Sequence, residues 1–155
     1  MSNKTAKYLI IGGGIIGCSV AYHLAKNGQK DVVLLEKSNL TEGATWHAAG
    51  LVGQLRSSRN TTRMLQKSVA MYDRLSSEIG AEFDWKKVGS LRLASTKERL
   101  LEAKRLKTMA RSFDLEMEII TAAEAKKLFP YIDDSGLEGA AFIPSDGHVD
   151  PASLC

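Results

Sequence analysis

The segment that most restricts the fold is Gly12-Gly13-Gly14-Ile15-Ile16-Gly17. It follows Tyr8–Ile11, an apolar run whose length and flanks predict a buried strand. Beyond it, apolar side chains at Ile16, Val20, Ala21 and Leu24 have the spacing of one helix face, predicting a helix over Ile15–Lys26. Asn27-Gly28 is a suitable stop, because glycine tolerates the left-handed conformation at a helix C-terminus. Val32–Leu35 predicts a second buried strand. Strand, glycine turn, helix and strand in this order make a right-handed βαβ unit with parallel strands.

The turn satisfies G-x-G-x-x-G in its confirming context, after a strand and at the start of a helix. Gly12 permits the tight turn, Gly14 lets a pyrophosphate approach the backbone, and Gly17 lets the helix pack close to the strand. The N–H groups at the helix start, with the helix dipole, favour an anion there. Glu36 ends the second strand, at the distance where an acid accepts hydrogen bonds from ribose hydroxyls and disfavours a 2′-phosphate. These residues predict FAD or NAD rather than NADP, and do not choose between the two.

Residues 37–59 carry no sustained period, and long irregular connections are more often functional than idle. Within them "TEGATWHAAGLVGQ" sets His47 beside Trp46 and among Ala48, Ala49 and Gly50. Either His47 is a loop histidine near a backbone bend, or a large flat group lies against this segment. Asn60–Ile79 predicts an amphipathic helix with Met64, Leu65, Val69, Tyr72, Leu75 and Ile79 on one side. Phe83–Val88 and Ser90–Ala94 predict strands. Capping boxes at Ser95–Glu98 and Thr121–Glu124 open a helix to about Ser112 and a short one ended by Phe129-Pro130. Met117–Ile120 and Gly139–Ile143 predict further strands, and Asp146-Gly147 a turn. This mixed region does not continue a simple βα alternation, so a second, smaller domain inserted into the first is expected.

The formal charge of +3 comes from 21 basic and 18 acidic residues without a basic block, which gives no case for nucleic acid or a membrane surface. No apolar run approaches the roughly 18 residues of a membrane span. "MSNKTAK" does not read as a signal peptide, nor as an Arg- and Ser-rich presequence. Two cysteines, Cys18 and Cys155, suit a reducing compartment, and they have no metal-ligand spacing; no metal site is expected. "GHVDPASLC" reads as a helix opening with Pro151 in the first turn, so the chain is expected to be the N-terminal part of something longer. His23 and His148 read as helical and turn residues and Trp85 as packing. The basic helix 97–112 reads as a solvated face, and Arg56 and Arg59 as loop arginines within reach of an anionic group.

"YLIIGGGIIGCSVAYHLAKNGQKDVVLLEK" followed by "LTEGATWHAAG" resembles the N-terminal part of D-amino-acid-oxidase-like flavoproteins, and within them the dimethylglycine and sarcosine dehydrogenase family. "VGSLRLASTKERL" and "GHVDPASL" extend the resemblance over nearly the whole chain. It implies an α/β fold: part of a Rossmann-like FAD-binding domain over residues 1–81, an inserted α+β substrate-domain segment over 82–145, and a return to the first domain over 146–155. It implies FAD as cofactor, contacted by Gly12, Gly14, Ile15, Ile16, Gly17, Glu36, Lys37, Gly43, Ala44, Thr45, His47, Ala49, Gly50 and Leu51. His47 matches the family histidine bonded to the flavin 8α-methyl carbon. The reaction implied is hydride transfer from an N-methylated glycine-type amine, dimethylglycine or sarcosine, with electron-transfer flavoprotein or oxygen as acceptor. A folate-binding region for tetrahydrofolate would lie further along the chain. The carboxylate clamp matches residues mostly beyond 155, so no general base is named. The compartment implied is the cytoplasm, or the mitochondrial matrix after removal of a presequence. The alternatives are an NAD-dependent oxidoreductase, a noncovalent amine or amino-acid oxidase, and a truncated chain without activity.

Overall fold

A computed structural model describes residues 5–155. The first residues of "MSNKTAK", and the beginning of the expected 1–81 domain, lie outside the described residues. The chain divides into two compact units, one of residues up to Leu51 with Val149–Cys155, the other Val52–His148.

In the first unit, β1 (Tyr8–Ile11), α1 (Ile15–Lys26) and β2 (Val32–Leu35) form the βαβ unit within the bounds set by the apolar pattern. β1 and β2 are parallel, in register from Tyr8 opposite Val32 to Ile11 opposite Leu35. The Gly12 N–H prolongs the ladder with a 2.8 Å bond to the Leu35 carbonyl. Asn27 ends α1, and its side-chain amide donates to the His23 carbonyl. The expectation of fully buried strands is corrected. Leu9 and Ile11, with Val33 and Leu35 opposite them, are exposed, as are Ile16 and Val20 on α1. The α1 side of this two-stranded sheet is covered, but no layer of the described residues lies against its other side, although its composition suits burial on both faces.

In the second unit, β3 (Leu51–Val52) begins at the boundary, followed by α2 (Arg59–Ile79), β4 (Trp85–Lys86), β5 (Ser90–Ala94) and α3 (Lys97–Ser112). β6 (Glu118–Ile120), α4 (Ala122–Leu128), β7 (Gly139–Ile143) and β8 (Gly147–Val149) complete the order. β7 is the central strand of an antiparallel sheet, β5-β7-β6. Its small residues Ala140 and Ala141 are almost wholly buried and point to opposite faces; Ala141 and Ile143 close into one core with Ala103 and Ala110 of α3, Leu115, Met117 and Leu55. A smaller sheet has the order β3-β8-β4.

α2 is capped by Ser58, whose hydroxyl accepts the Thr61 N–H, and ends at Gly80 in the left-handed conformation. It joins the second unit through side-chain contacts. Gln66 donates to the carbonyls of Phe113 and Asp114, and Tyr72 meets the rings of Phe83 and Trp85 edge-on. The compact units divide at 51/52, whereas the domain boundary that the resemblance implies lies at 81/82. An amphipathic period says that a helix has a core side, not which core it joins.

Other differences are local. Met64 and Ile79, expected on the packed side of α2, are exposed. The expected strand 83–88 shrinks to Trp85–Lys86. α3 is capped by Thr96, not Ser95: the Thr96 hydroxyl accepts the Arg99 N–H. At α4 the expected box is complete, with Thr121 and Glu124 bonded reciprocally.

Candidate functional site

The site grows from the end of β1. Gly12 turns the chain with φ +105°, a region that side chains rarely adopt. A Cβ on Gly17 would lie 1.9 Å from the Gly12 carbonyl oxygen, so only glycine lets α1 start this close to the turn. The N–H groups of Ile16 and Gly17, in the first turn of α1, have no acceptor among the described residues. Such orphan donors, at the positive end of the helix, suit an anion.

Glu36 closes the other side. Its Oε2 accepts the Gly13 N–H at 2.6 Å and its Oε1 the Ser38 N–H at 3.0 Å. Above all the Gly13 bond, then the Ser38 bond, hold this carboxyl below its ordinary range; Lys37 adds a smaller effect in the same direction. Two bonds leave a carboxylate with unused lone pairs, so Glu36 can still accept from hydroxyl donors.

Thr45, which is buried, reaches the turn from 30 residues along the chain: its hydroxyl accepts the Ile15 N–H at 3.0 Å. The same oxygen lies 2.9 Å from where a Cβ on Gly14 would stand. Gly14 thus makes room for a threonine of the protein itself. The Thr41 N–H donates to the Gly13 carbonyl at 2.9 Å, with Thr41 at the unusual φ of +70° for a non-glycine residue. Residues 41–48 then form a run of turns, with Trp46 bonded back to the Thr41 carbonyl and Ala48 to that of Thr45.

His47 is exposed, and its Nδ1 is 2.9 Å from the Gly43 carbonyl. A carbonyl only accepts, so Nδ1 carries the proton, and a neutral ring then keeps its lone pair at Nε2. Trp46 is exposed beside it, as are Gly43, Ala44 and Ala49. Gly50 is enclosed: its carbonyl accepts the Val149 N–H at 2.9 Å, and a Cβ there would meet the Val149 carbonyl. Leu51 and Lys37 face solvent. The structure therefore gathers the glycine turn, Glu36 and Thr45 through hydrogen bonds, and leaves Ala44, Ala49 and Leu51 as open surface.

The remaining candidates are placed differently. His23 and His148 are exposed. Arg59 donates to the Ser112 carbonyl and lies over the Phe113 ring, whereas the Arg56 guanidinium donates to the neighbouring Leu55 carbonyl. No group of three or more His, Cys, Asp or Glu that would hold a metal occurs among the described residues, and no described helix is long and apolar enough to cross a membrane.

The sequence pattern missed two buried polar centres. Thr62, fully buried, accepts the Arg56 N–H at 3.0 Å and donates to the Arg56 carbonyl at 3.2 Å. Asp146, read as a turn residue, is buried and accepts from the Gln54 N–H, the Gln54 side-chain amide and the Ser90 hydroxyl. Asp-Gly is a turn signal, and it hides a carboxylate whose partners lie far away in sequence.

Residues 7–155 match the DAO family, described as FAD dependent oxidoreductase. The chain is 41% identical over 153 residues to mitochondrial sarcosine dehydrogenase of Homo sapiens, and 44% identical over 149 residues to mitochondrial dimethylglycine dehydrogenase of Rattus norvegicus. Those alignments cover 98% and 96% of this chain but only 17% of each relative. The fold is similar to the crystal structure of L-proline dehydrogenase from P. horikoshii, with a TM-score of 0.88 at 31% identity, over 96% of this chain and 39% of that one. With a glycine turn, an acid at the end of β2 and a matching fold, the chain belongs to the DAO family of FAD-dependent oxidoreductases.

Proposed function

We propose that this chain is the N-terminal part of an FAD-dependent dehydrogenase or oxidase of N-methylated glycine-type amines, sarcosine or dimethylglycine, with FAD tethered to His47. The observation that carries the tether is the Nδ1 contact to the Gly43 carbonyl, which leaves Nε2 as the nucleophilic nitrogen on an open surface. Similarity to both a sarcosine and a dimethylglycine dehydrogenase supports the substrate class.

The residues present fit the cofactor. The Ile16 and Gly17 N–H groups would take the pyrophosphate, with Gly12, Gly14 and Ile15 shaping the turn that receives it. Glu36 would accept from the ribose hydroxyls, with Lys37 beside it. Gly43, Ala44, Thr45, Ala49, Gly50 and Leu51 would border the flavin, and the bond would join Nε2 of His47 to the 8α-methyl carbon. When bound, FAD supplies the two-electron acceptor for a C–H bond next to the amine nitrogen. The amine must be neutral to release those electrons. Residues up to 81 and from 146 onward would serve the cofactor, and 82–145 the substrate side. The electron acceptor would be an electron-transfer flavoprotein or oxygen. A tetrahydrofolate-binding region and a cytoplasmic or mitochondrial-matrix location belong to the same proposal.

The test uses the full reading frame, purified and run on a denaturing gel under ultraviolet light beside His47→Ala. The expected result is flavin fluorescence in the wild-type band and none in the variant, with sarcosine or dimethylglycine reducing the native flavin. A yellow protein whose denatured band is dark rejects the tether and favours a noncovalent amine oxidase. A colourless protein rejects the flavin assignment for this chain.

A further inference from the structure

The chain has two tryptophans, and the fold treats them differently. Trp85 is half-buried; its indole N–H donates to the Asp73 carboxylate at 2.9 Å, and its ring meets Tyr72 edge-on. Trp46 is 66% exposed, and neither its ring nor its indole N–H has a partner among the described residues. The backbone beneath it is nevertheless held on every side. Its own N–H donates to the Thr41 carbonyl at 3.0 Å, the preceding Thr45 accepts the Ile15 N–H, and the ring of the following His47 is bonded to the Gly43 carbonyl. Thr41 adopts φ +70° in this turn, a costly conformation for a β-branched residue and one that clusters at ligand-binding segments. A large flat ring left bare on a fixed backbone has the form of a binding anchor, because little freedom is lost when something covers it.

We infer that the Trp46 indole packs against the isoalloxazine ring of the bound cofactor, beside His47. The inference rests on the reading that the flavin ring lies at His47, and adds a contact to it. Adjacent α-carbons stand about 3.8 Å apart across a trans peptide bond, so a flat group joined to or packed on Nε2 of His47 begins within a side chain's length of the indole. The rest of the segment offers no other cover. From Gly43 to Gly50 the chain carries glycine, alanine and threonine around the histidine, and Trp46 is its one large apolar side chain. Flat aromatic groups stack in offset fashion with a gain beyond the area they bury, and an indole does so while its N–H stays free for water. Trp46 is in this reading a cofactor-contact residue: it fixes the plane of the ring at the His47 end and shields that end from solvent.

The experiment uses the full-length, flavin-loaded protein and reads flavin emission in the native state, normalised to flavin absorbance. An indole or phenol ring in contact quenches an excited flavin, and a phenyl ring does not. Emission should therefore rise in Trp46→Phe, return to the wild-type level in Trp46→Tyr and stay unchanged in Trp85→Phe. A second reading needs no variant: brief hydroxyl-radical oxidation of the native wild type, followed by peptide mapping. Trp46 should be oxidised less than Trp85, the reverse of the order that their exposure in this chain gives. If Trp46→Phe loses its flavin, this oxidation order decides. A loaded Trp46→Phe protein with wild-type emission, or a Trp46 that is oxidised more readily than Trp85, overturns the inference and leaves the flavin reading standing. A colourless wild-type protein overturns both.

Discussion

The carbonyl oxygen of Gly12 and the α-carbon of Gly17 approach so closely that a methyl group on Gly17 would sit 1.9 Å from that oxygen. The contact joins the first residue of the turn to the third residue of α1, so neither can move without the other. Gly17→Ala should therefore displace the helix start, destabilising the first unit by ~1–3 kcal/mol as overpacking does. The check is a thermal melt of the full-length protein beside its flavin content. A wild-type melting temperature with full flavin would contradict this role for Gly17.

Glu36 gives the turn a pH dependence. Its folded-state pKa is lowered, chiefly by the Gly13 N–H and then by the Ser38 N–H. The stabilisation is thus complete above the ordinary carboxylate value near 4.5 and is lost as pH falls from there through the folded value, because the unfolded chain binds its proton first. Amide exchange at Gly13 should accelerate, relative to neighbouring turns, as the solution is acidified through this window. In Glu36→Gln that extra acid sensitivity should be absent.

Thr62 holds both backbone polar groups of Arg56 with one hydroxyl. Thr62→Val keeps the shape but leaves the two groups without this partner, at a cost of about 1–3 kcal/mol. Hydrogen exchange at the Arg56 amide should speed up in Thr62→Val and stay near wild type in Thr62→Ser. Equal protection in both variants would show that the hydroxyl is dispensable.

Asp146 accepts three hydrogen bonds in a buried position. Asp146→Ala removes the carboxylate acceptors of the cluster and leaves the buried Gln54 N–H and side-chain amide without this partner, and should cost about 1–3 kcal/mol. Ser90→Ala removes one bond and should cost less, near ~1 kcal/mol. Denaturant midpoints of the two variants, compared with wild type, give the order. If Ser90→Ala were the more damaging, the carboxylate would not be the centre of the cluster.

The local signals proved legible where one short segment contains its own cause. The βαβ unit and the glycine turn follow from apolar runs, glycines and an acid within about 30 residues. The box at Thr121 and Glu124 is likewise self-contained, since both partners lie on one helical turn. The shift of the α3 cap from Ser95 to Thr96 shows the limit, because adjacent hydroxyl residues satisfy the same pattern and only backbone geometry chooses. The resemblance places Thr45 in the cofactor segment, but nothing in its neighbours signals a bond to Ile15 across 30 residues.

What the sequence determined by itself is the βαβ order, the longer helices and strands after it and the chemistry of the turn, because period, glycine placement and the acid after β2 act over a few residues. The short strands β3 and β8 carry no such signal. Only the tertiary structure decided which apolar faces are covered, as the exposed Leu9, Ile11, Ile16 and Val20 show. It alone assigned α2 to the second unit and set Asp146 between Gln54 and Ser90. It also fixed the ring proton of His47 by placing the Gly43 carbonyl against Nδ1. Each of these depends on where the backbone brings distant groups together, and a hydrophobic period specifies that a face is buried without naming its partner.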